Sequence, residues 1–380
     1  MGSTEPMDHD RRLDPLNAAN GLRTSTRALP EVRDRLQQWF QTVLGDGVQI
    51  TDITTPSSAG FSSDTYLVTC AAEAGAGSYV VRLPPPADAF ALFPTYDLDR
   101  QVRAMRLVEE RTSVPVPAVP WFERDDSFLG SEFFVMRRSP GRAVPDDPPY
   151  TFAGWLLEAS AQDLVCVEQG CVDVLAGIHS IADREALAPF RNTATTGSAL
   201  RQHVDHHVAH YDWAVRAARP VELIERGFDW LNSHWPSEGP DVLSWGDARP
   251  ANILWDDVAP AAVLDWESVS VAPAEVDLGW MLFFHRMFQD IAERNGAPGL
   301  PDFMVRDDIV GRYEAAAGTP VRDLDWYLTY AAVRQAVVSM RVVGRRAHFG
   351  EQTLPDDPND MVFHRQLLER ALRDPATTWR

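Results

Sequence analysis

The chain has 380 residues, 45% hydrophobic and 24% charged, the balance of an ordinary globular protein large enough for two or three core units. Its formal net charge of −20 argues against a general nucleic-acid or anionic-membrane binder, and favours a cationic ligand only if the acid gathers at a cleft. All 35 basic residues are arginine, which excludes a Walker-type lysine, Schiff-base chemistry and a Ser-x-x-Lys nucleophile, and leaves arginine as the cation for any phosphate.

Residues 1–28 are polar and aperiodic and read as a tail. From Pro30 a helix with Val32, Leu36, Trp39, Phe40 and Val43 on one face runs to Gly45. Strands are expected over 48–53, 65–70 and 79–83, joined by short turns into an antiparallel meander. Asp97 to Arg111 reads as a helix with the stripe Leu98, Val102, Met105 and Val108, flanked by Gln101, with Glu109 further on. Segments 118–123 and 131–138 form a hairpin. Ser139-Pro140-Gly141 then breaks the chain and is taken as the boundary between an N-terminal lobe, 29–138, and a C-terminal lobe, 139–380.

From 150 to about 235 the pattern is helical. One segment carries His179, whose expected role is packing or bracing a loop. Another sets His203, His207 and His210 on one face beside His206. That spacing could ligate a transition metal, but no cysteine and no His-Glu-x-x-His joins it, so a helix bordering the substrate cleft is the expected reading. An apolar helix over 276–288 has Asp277 in its first turn, where it can cap the helix or brace a neighbouring loop. The longest periodic segment is 324–343. Cys70, Cys166 and Cys171 form neither a disulfide framework nor a zinc spacing. No apolar run reaches the roughly 18 residues of a membrane span, and the first residues are not signal-like. The expectation is a cytoplasmic protein without a membrane or nucleic-acid partner.

The sharpest signal is 243–267, L-S-W-G-D-A-R-P-A-N-I-L-W-D-D-V-A-P-A-A-V-L-D-W-E. Asp247 and Asn252 stand as D-x-x-x-x-N, and Asp265 follows a short apolar run. This matches the phosphoryl-transfer pattern of protein kinases. A carboxylate can orient and deprotonate a hydroxyl, while an amide oxygen and a second carboxylate are hard ligands suited to Mg²⁺. Both metal-ligand candidates are expected on neighbouring strands of one hairpin. By the same pattern, Arg82 on the third strand stands where kinases place a phosphate-binding lysine. Ser62 and Ser63, in the turn before the second strand, can offer donors to phosphates, although the turn has no Gly-x-Gly-x-x-Gly. Val135, Met136 and Arg137 fall where the backbone would meet adenine.

These stretches together resemble the aminoglycoside phosphotransferase family, relatives of choline kinases, and especially its branch found fused to acyl-CoA dehydrogenases. The resemblance rests on W-G-D-A-R-P-A-N (245–252), L-D-W-E (264–267), V-D-L-G-W (276–280), Y-V-V-R-L-P-P (79–85), V-P-V-P (114–117), F-V-M-R-R-S-P-G (134–141) and L-A-G-I-H (175–179). It implies an α+β, two-lobed, protein-kinase-like fold: a small antiparallel sheet with one main helix, then a larger, mostly helical lobe. It implies ATP and Mg²⁺ as cofactors and a small-molecule hydroxyl as acceptor. Asp247 would be the base, Asn252 and Asp265 the metal ligands, and Arg82 and Arg249 the phosphate-facing cations. Two positions depart from the family. Trp245 replaces a loop-bracing His, and Gln101 replaces the Glu that pairs with the strand-three cation. These departures leave a second reading open, a nucleotide- or metabolite-binding protein with little turnover.

Overall fold

The computed structural model describes residues 27–56, 63–71, 77–86, 89–191, 196–216 and 218–380. Residues 1–26 of the expected tail and Ser62 lie outside them. In the N-terminal lobe come α1 (Leu29–Leu44), β1 (Gln49–Thr54), β2 (Asp64–Ala71), β3 (Gly77–Leu83), α2 (Leu98–Arg111), β4 (Trp121–Glu123) and β5 (Phe133–Arg137). The strands make one antiparallel sheet in the order β1-β2-β3-β5-β4.

The alternation of side chains along a strand decides what covers each face. Val81 and Val135, paired across β3 and β5, belong to the core under α1 with Trp39, Phe40 and Phe133. Trp39 anchors that core edge-on to Phe133, with ring centroids 5.1 Å apart, and its indole N–H donates to Glu123 at 2.9 Å. Val80 and Met136, one residue along, share the opposite core with the buried stripe of α2. Asp97 caps α2 by accepting from the Arg100 backbone N–H at 2.9 Å, which satisfies one of the unpaired first-turn donors.

The second lobe contains α3 (Ala161–His179), α4 (Arg184–Leu187), α5 (Ala199–Val215), α6 (Glu222–Ser233), β6 (Asp241–Ser244), β7 (Ile253–Asp256), β8 (Ala259–Val263), β9 (Ser270–Pro273), α7 (Glu275–Arg294), α8 (Arg306–Ala317), α9 (Leu324–His348), α10 (Arg365–Arg373) and α11 (Pro375–Thr378). The expected helical start at Tyr150 is a run of turns instead. Gly154 sits at φ +99, and the helix begins only where Ser160 and Asp163 form a reciprocal capping box. Helices α7 and α9 are buried on most sides.

Two small antiparallel pairs, β6 with β9 and β7 with β8, hold the functional stretch. The β7–β8 hairpin is tied to the N-terminal lobe and to the segment that follows it. Val263 N–H donates to Pro115 O at 2.8 Å, and Arg142 and Trp255 exchange two backbone bonds of 2.9 Å. The α+β, two-lobed architecture expected from the sequence is present. No single helix among the described residues is long and apolar enough to cross a membrane.

Candidate active site

The loop between β6 and β7 is built around one buried carboxylate. Asp277, in the first turn of α7, accepts from Ser244 Oγ at 3.0 Å, Trp245 N at 2.7 Å, Gly246 N at 2.8 Å and His179 Nε2 at 3.0 Å. A carboxylate only accepts, so Nε2 of His179 carries the proton and Nδ1 accepts from the Tyr313 hydroxyl at 2.7 Å. Asp277 therefore braces the loop, and His179 is a bracing histidine behind it. Gly246 is required by shape. Its φ is +90, and a Cβ there would lie 2.2 Å from the Ser268 carbonyl oxygen.

This brace delivers Asp247 to the cleft. Its Oδ1 accepts from Trp280 Nε1 at 2.6 Å and Arg249 Nε at 2.9 Å; its Oδ2 accepts from Asn252 Nδ2 at 2.6 Å and Arg249 Nη2 at 3.2 Å. Burial pushes the carboxyl up, but the Arg249 charge and these hydrogen bonds outweigh it and hold Asp247 below the usual carboxylate range. Arg249 is also bound by Asp146 and lies over the Phe284 ring at 4.8 Å. Burial opposes its charge, while Asp146 and Asp247 keep it protonated.

Asn252 and Asp265 flank the hairpin at its open end rather than lying on its strands. Asn252 ends a short 3-10 turn before β7, and Asp265 follows β8, with Leu264 N–H donating to Asn252 O at 2.8 Å. Because the Asn252 amide nitrogen is committed to Asp247, its amide oxygen is the group left for a ligand. Asp265 sits at φ +59, a conformation rare outside glycine and common where function demands it. One amide and one carboxylate oxygen suit Mg²⁺, which takes one or two protein ligands and completes its shell with water and phosphate.

Arg82 reaches this centre from the sheet. It pairs with Asp265 at 3.1 Å and Glu267 at 3.8 Å, not with α2. The partners expected on α2 do not serve. Gln101 is buried with its Nε2 lacking a hydrogen-bond partner among the described residues, and Glu109 is exposed. The strand-three cation is neutralised by the other lobe. Ser63 is buried at the start of β2, with its hydroxyl unpartnered among the described residues. Val135 and Met136 pair with Val81 and Val80, and Arg137 and Arg138 donate to Ala118 O and Ser78 O, both at 2.9 Å; the chain leaves the sheet only after Arg138.

Trp245, in place of the family's His, is buried against Trp266. Its indole donates to the Leu264 carbonyl at 2.9 Å, joining the Asp247 loop to the residue before Asp265. The histidines of α5 have protein partners: His203 Nδ1 with Tyr330 Oη at 2.6 Å, and His210 Nε2 with Leu92 O at 2.9 Å. No metal-holding group of three or more His, Cys, Asp or Glu occurs among the described residues. The sequence reading missed Asp146 and Trp280 as contacts of the central pair.

The description "Phosphotransferase enzyme family" belongs to a family model that matches residues 53–304. The probable acyl-CoA dehydrogenase IBR3 of Arabidopsis thaliana is 24% identical over 341 residues, 82% of this chain and 39% of that protein. The chain thus spans well under half of that relative's length. Its fold is similar to a thermostable mutant of aminoglycoside phosphotransferase APH(4)-Ia solved with ADP and hygromycin B, at TM-score 0.56 and 16% identity, covering 90% of this chain and 99% of that one. It is also similar to macrolide 2'-phosphotransferase MphH from Brachybacterium faecium, at TM-score 0.52 and 19% identity, covering 90% and 99%.

Proposed function

The chain belongs to the phosphotransferase enzyme family, and we propose that it is an ATP- and Mg²⁺-dependent kinase that phosphorylates a hydroxyl of a small molecule in the cytoplasm. The observation that carries this reading is the Asp247–Asn252–Asp265 cluster. Asn252 bonds Asp247 through its side chain and Leu264 through its backbone, so base and metal ligands form one unit. Bound Mg²⁺ would be held by Asn252 and Asp265 and would supply charge neutralisation on the phosphates.

The chain's own residues do the rest. Asp247 holds the acceptor hydroxyl in line and takes its proton. The hydroxyl oxygen forms a bond to the γ-phosphorus as the bond from that phosphorus to the β-bridging oxygen breaks, giving ADP and a phosphate ester. A carboxylate with a lowered pKa is a weak base, so Asp247 acts mainly by orientation, as suits a loose transition state. Arg82 and Arg249 would face the phosphates with Ser63 beside them, and adenine would lie beside the end of the Val135–Arg137 strand.

One observation favours a second reading, a nucleotide-binding protein with little turnover. Arg82 occupies Asp265 itself, the carboxylate that Mg²⁺ would use. ADP release measured against a library of alcohols separates the two readings. A productive acceptor whose turnover collapses in Asp247→Asn supports the kinase; nucleotide binding without turnover on any acceptor supports the alternative.

A further inference from the structure

Helix α9 carries Arg334, Arg341, Arg345 and Arg346 and no acidic residue from Trp326 to Gly350. Arg334 and Arg341 are seven residues apart, so they share a face at a spacing of about 10 Å. That face meets α5: Tyr330 bonds His203, and Arg341 lies over Trp213 at 4.2 Å. On α5, His206 is exposed and His207 half-buried, so the two helices border open space.

Arg334 is 3% exposed and has no carboxylate within ion-pairing distance among the described residues. Its guanidinium stacks on Trp280 at 4.1 Å, and Nη2 donates to the Gly246 carbonyl at 3.0 Å. Nε and Nη1 have no hydrogen-bond partner among the described residues. Arg341 is built alike. It is 4% exposed, stacked on Phe90 and Trp213, bonded to the Ala91 carbonyl, and its Nε is unpartnered among the described residues. The nearest acids, Asp277 and Asp247, attract Arg334 through space but make no direct ion pair with it. Asp277 is saturated by the loop, and Asp247 by Trp280, Arg249 and Asn252.

A buried charge is costly unless paired, and stacking on an aromatic face offsets only part of that. A guanidinium with unpartnered N–H groups is a side chain well suited to a carboxylate or phosphate. The position is specific as well. Arg334 holds the carbonyl of the residue before Asp247 and stacks on the indole that binds Asp247, so its charge lies beside the Asp247 loop. Burial lowers the Arg334 pKa, which an anion would reverse.

We propose that Arg334 recognises an anionic group of the acceptor, so the substrate is an alcohol bearing a carboxylate or phosphate close to the phosphorylated hydroxyl, and polycationic acceptors are rejected. This rests on the kinase reading above. Arg341, two turns away, suits a second negative charge further along the same molecule.

The test titrates the full chain, saturated with Mg²⁺ and a non-hydrolysable ATP analogue, with acetate, methyl phosphate and ethanolamine. Wild type, Arg334→Gln and Arg334→Lys are compared by calorimetry. Either anion or both should bind and ethanolamine should not. Arg334→Gln should weaken anion binding at least tenfold with nucleotide affinity unchanged, and Arg334→Lys should keep part of it. The tighter anion assigns carboxylate or phosphate. Equal anion binding in wild type and Arg334→Gln, or preference for ethanolamine, overturns the proposal. Should Arg334→Gln fail to fold, the wild-type preference between anions and ethanolamine still decides. Absent nucleotide binding would instead count against the kinase reading, and the same titrations without nucleotide then decide the anion preference.

Discussion

Asp247 accepts four side-chain hydrogen bonds within the chain, and this sets what it can do. Such a carboxylate stays ionised and aimed, and its contribution is lost only with its charge and geometry. Asp247→Asn should lower kcat by about 10²–10⁴-fold with little change in nucleotide affinity, measured by coupled ADP release. The acid limb of kcat that belongs to Asp247 should lie below the ordinary carboxylate range, because its pKa is depressed. Gly246 makes a second prediction at this scale. Ala at φ +90, with its Cβ against the Ser268 carbonyl, requires the loop to move. Gly246→Ala should cost about 1–3 kcal/mol or more in urea unfolding and displace Asp247, with kcat falling alongside.

At the scale of elements, the loop, the hairpin and the start of α7 behave as one piece joined by Asp277 and Trp245. Trp245→Phe keeps an aromatic ring against Trp266 but leaves the Leu264 carbonyl without its indole donor. It should destabilise by about 1–3 kcal/mol and weaken Mg·ATP binding several-fold, whereas unchanged nucleotide binding would show that Asp265 needs no such tie. Much of this unit was legible because its chemistry is local in sequence: D-x-x-x-x-N, a short apolar hairpin, then Asp265. The contacts that were not legible are long-range. Asp146 meets Arg249 across 103 residues, and Arg82 meets Asp265 across 183. A strand-to-helix analogy placed the partner of Arg82 on α2, but the sheet directs it into the other lobe. Arg334 was hidden differently. On an apolar periodic helix it reads as a boundary residue, and the only signal was the absence of acid beside it.

Across the whole molecule, the buried histidines make an acid-sensitive fold. Burial holds His210 and His364 at about 4 and His285 at about 3, and pushes His203 well below the usual imidazole value. The folded state keeps them neutral while the unfolded chain takes up protons below about pH 6.5. Their stabilisation is therefore complete above that pH and is lost as pH falls toward 4, each fully neutral histidine contributing a slope of about 1.4 kcal/mol per pH unit. Chemical denaturation at pH 7.5, 6 and 5 should show stability falling before the carboxylates titrate. A flat profile across that window would mean that these rings ionise in the folded state as they do in the unfolded chain.

The two lobes meet where Arg82 holds Asp265, and on the proposed function a nucleotide would exchange that ion pair for phosphate and metal. Calorimetric binding of ATP to wild type and Asp265→Ala, with and without Mg²⁺, tests this most directly. With Mg²⁺, Asp265→Ala should bind ATP at least tenfold more weakly than wild type. Without Mg²⁺ it should bind as well or better, since Arg82 is released to the phosphates. Equal affinity of the two proteins in the presence of Mg²⁺ would contradict the assignment of Asp265, and with it the kinase centre.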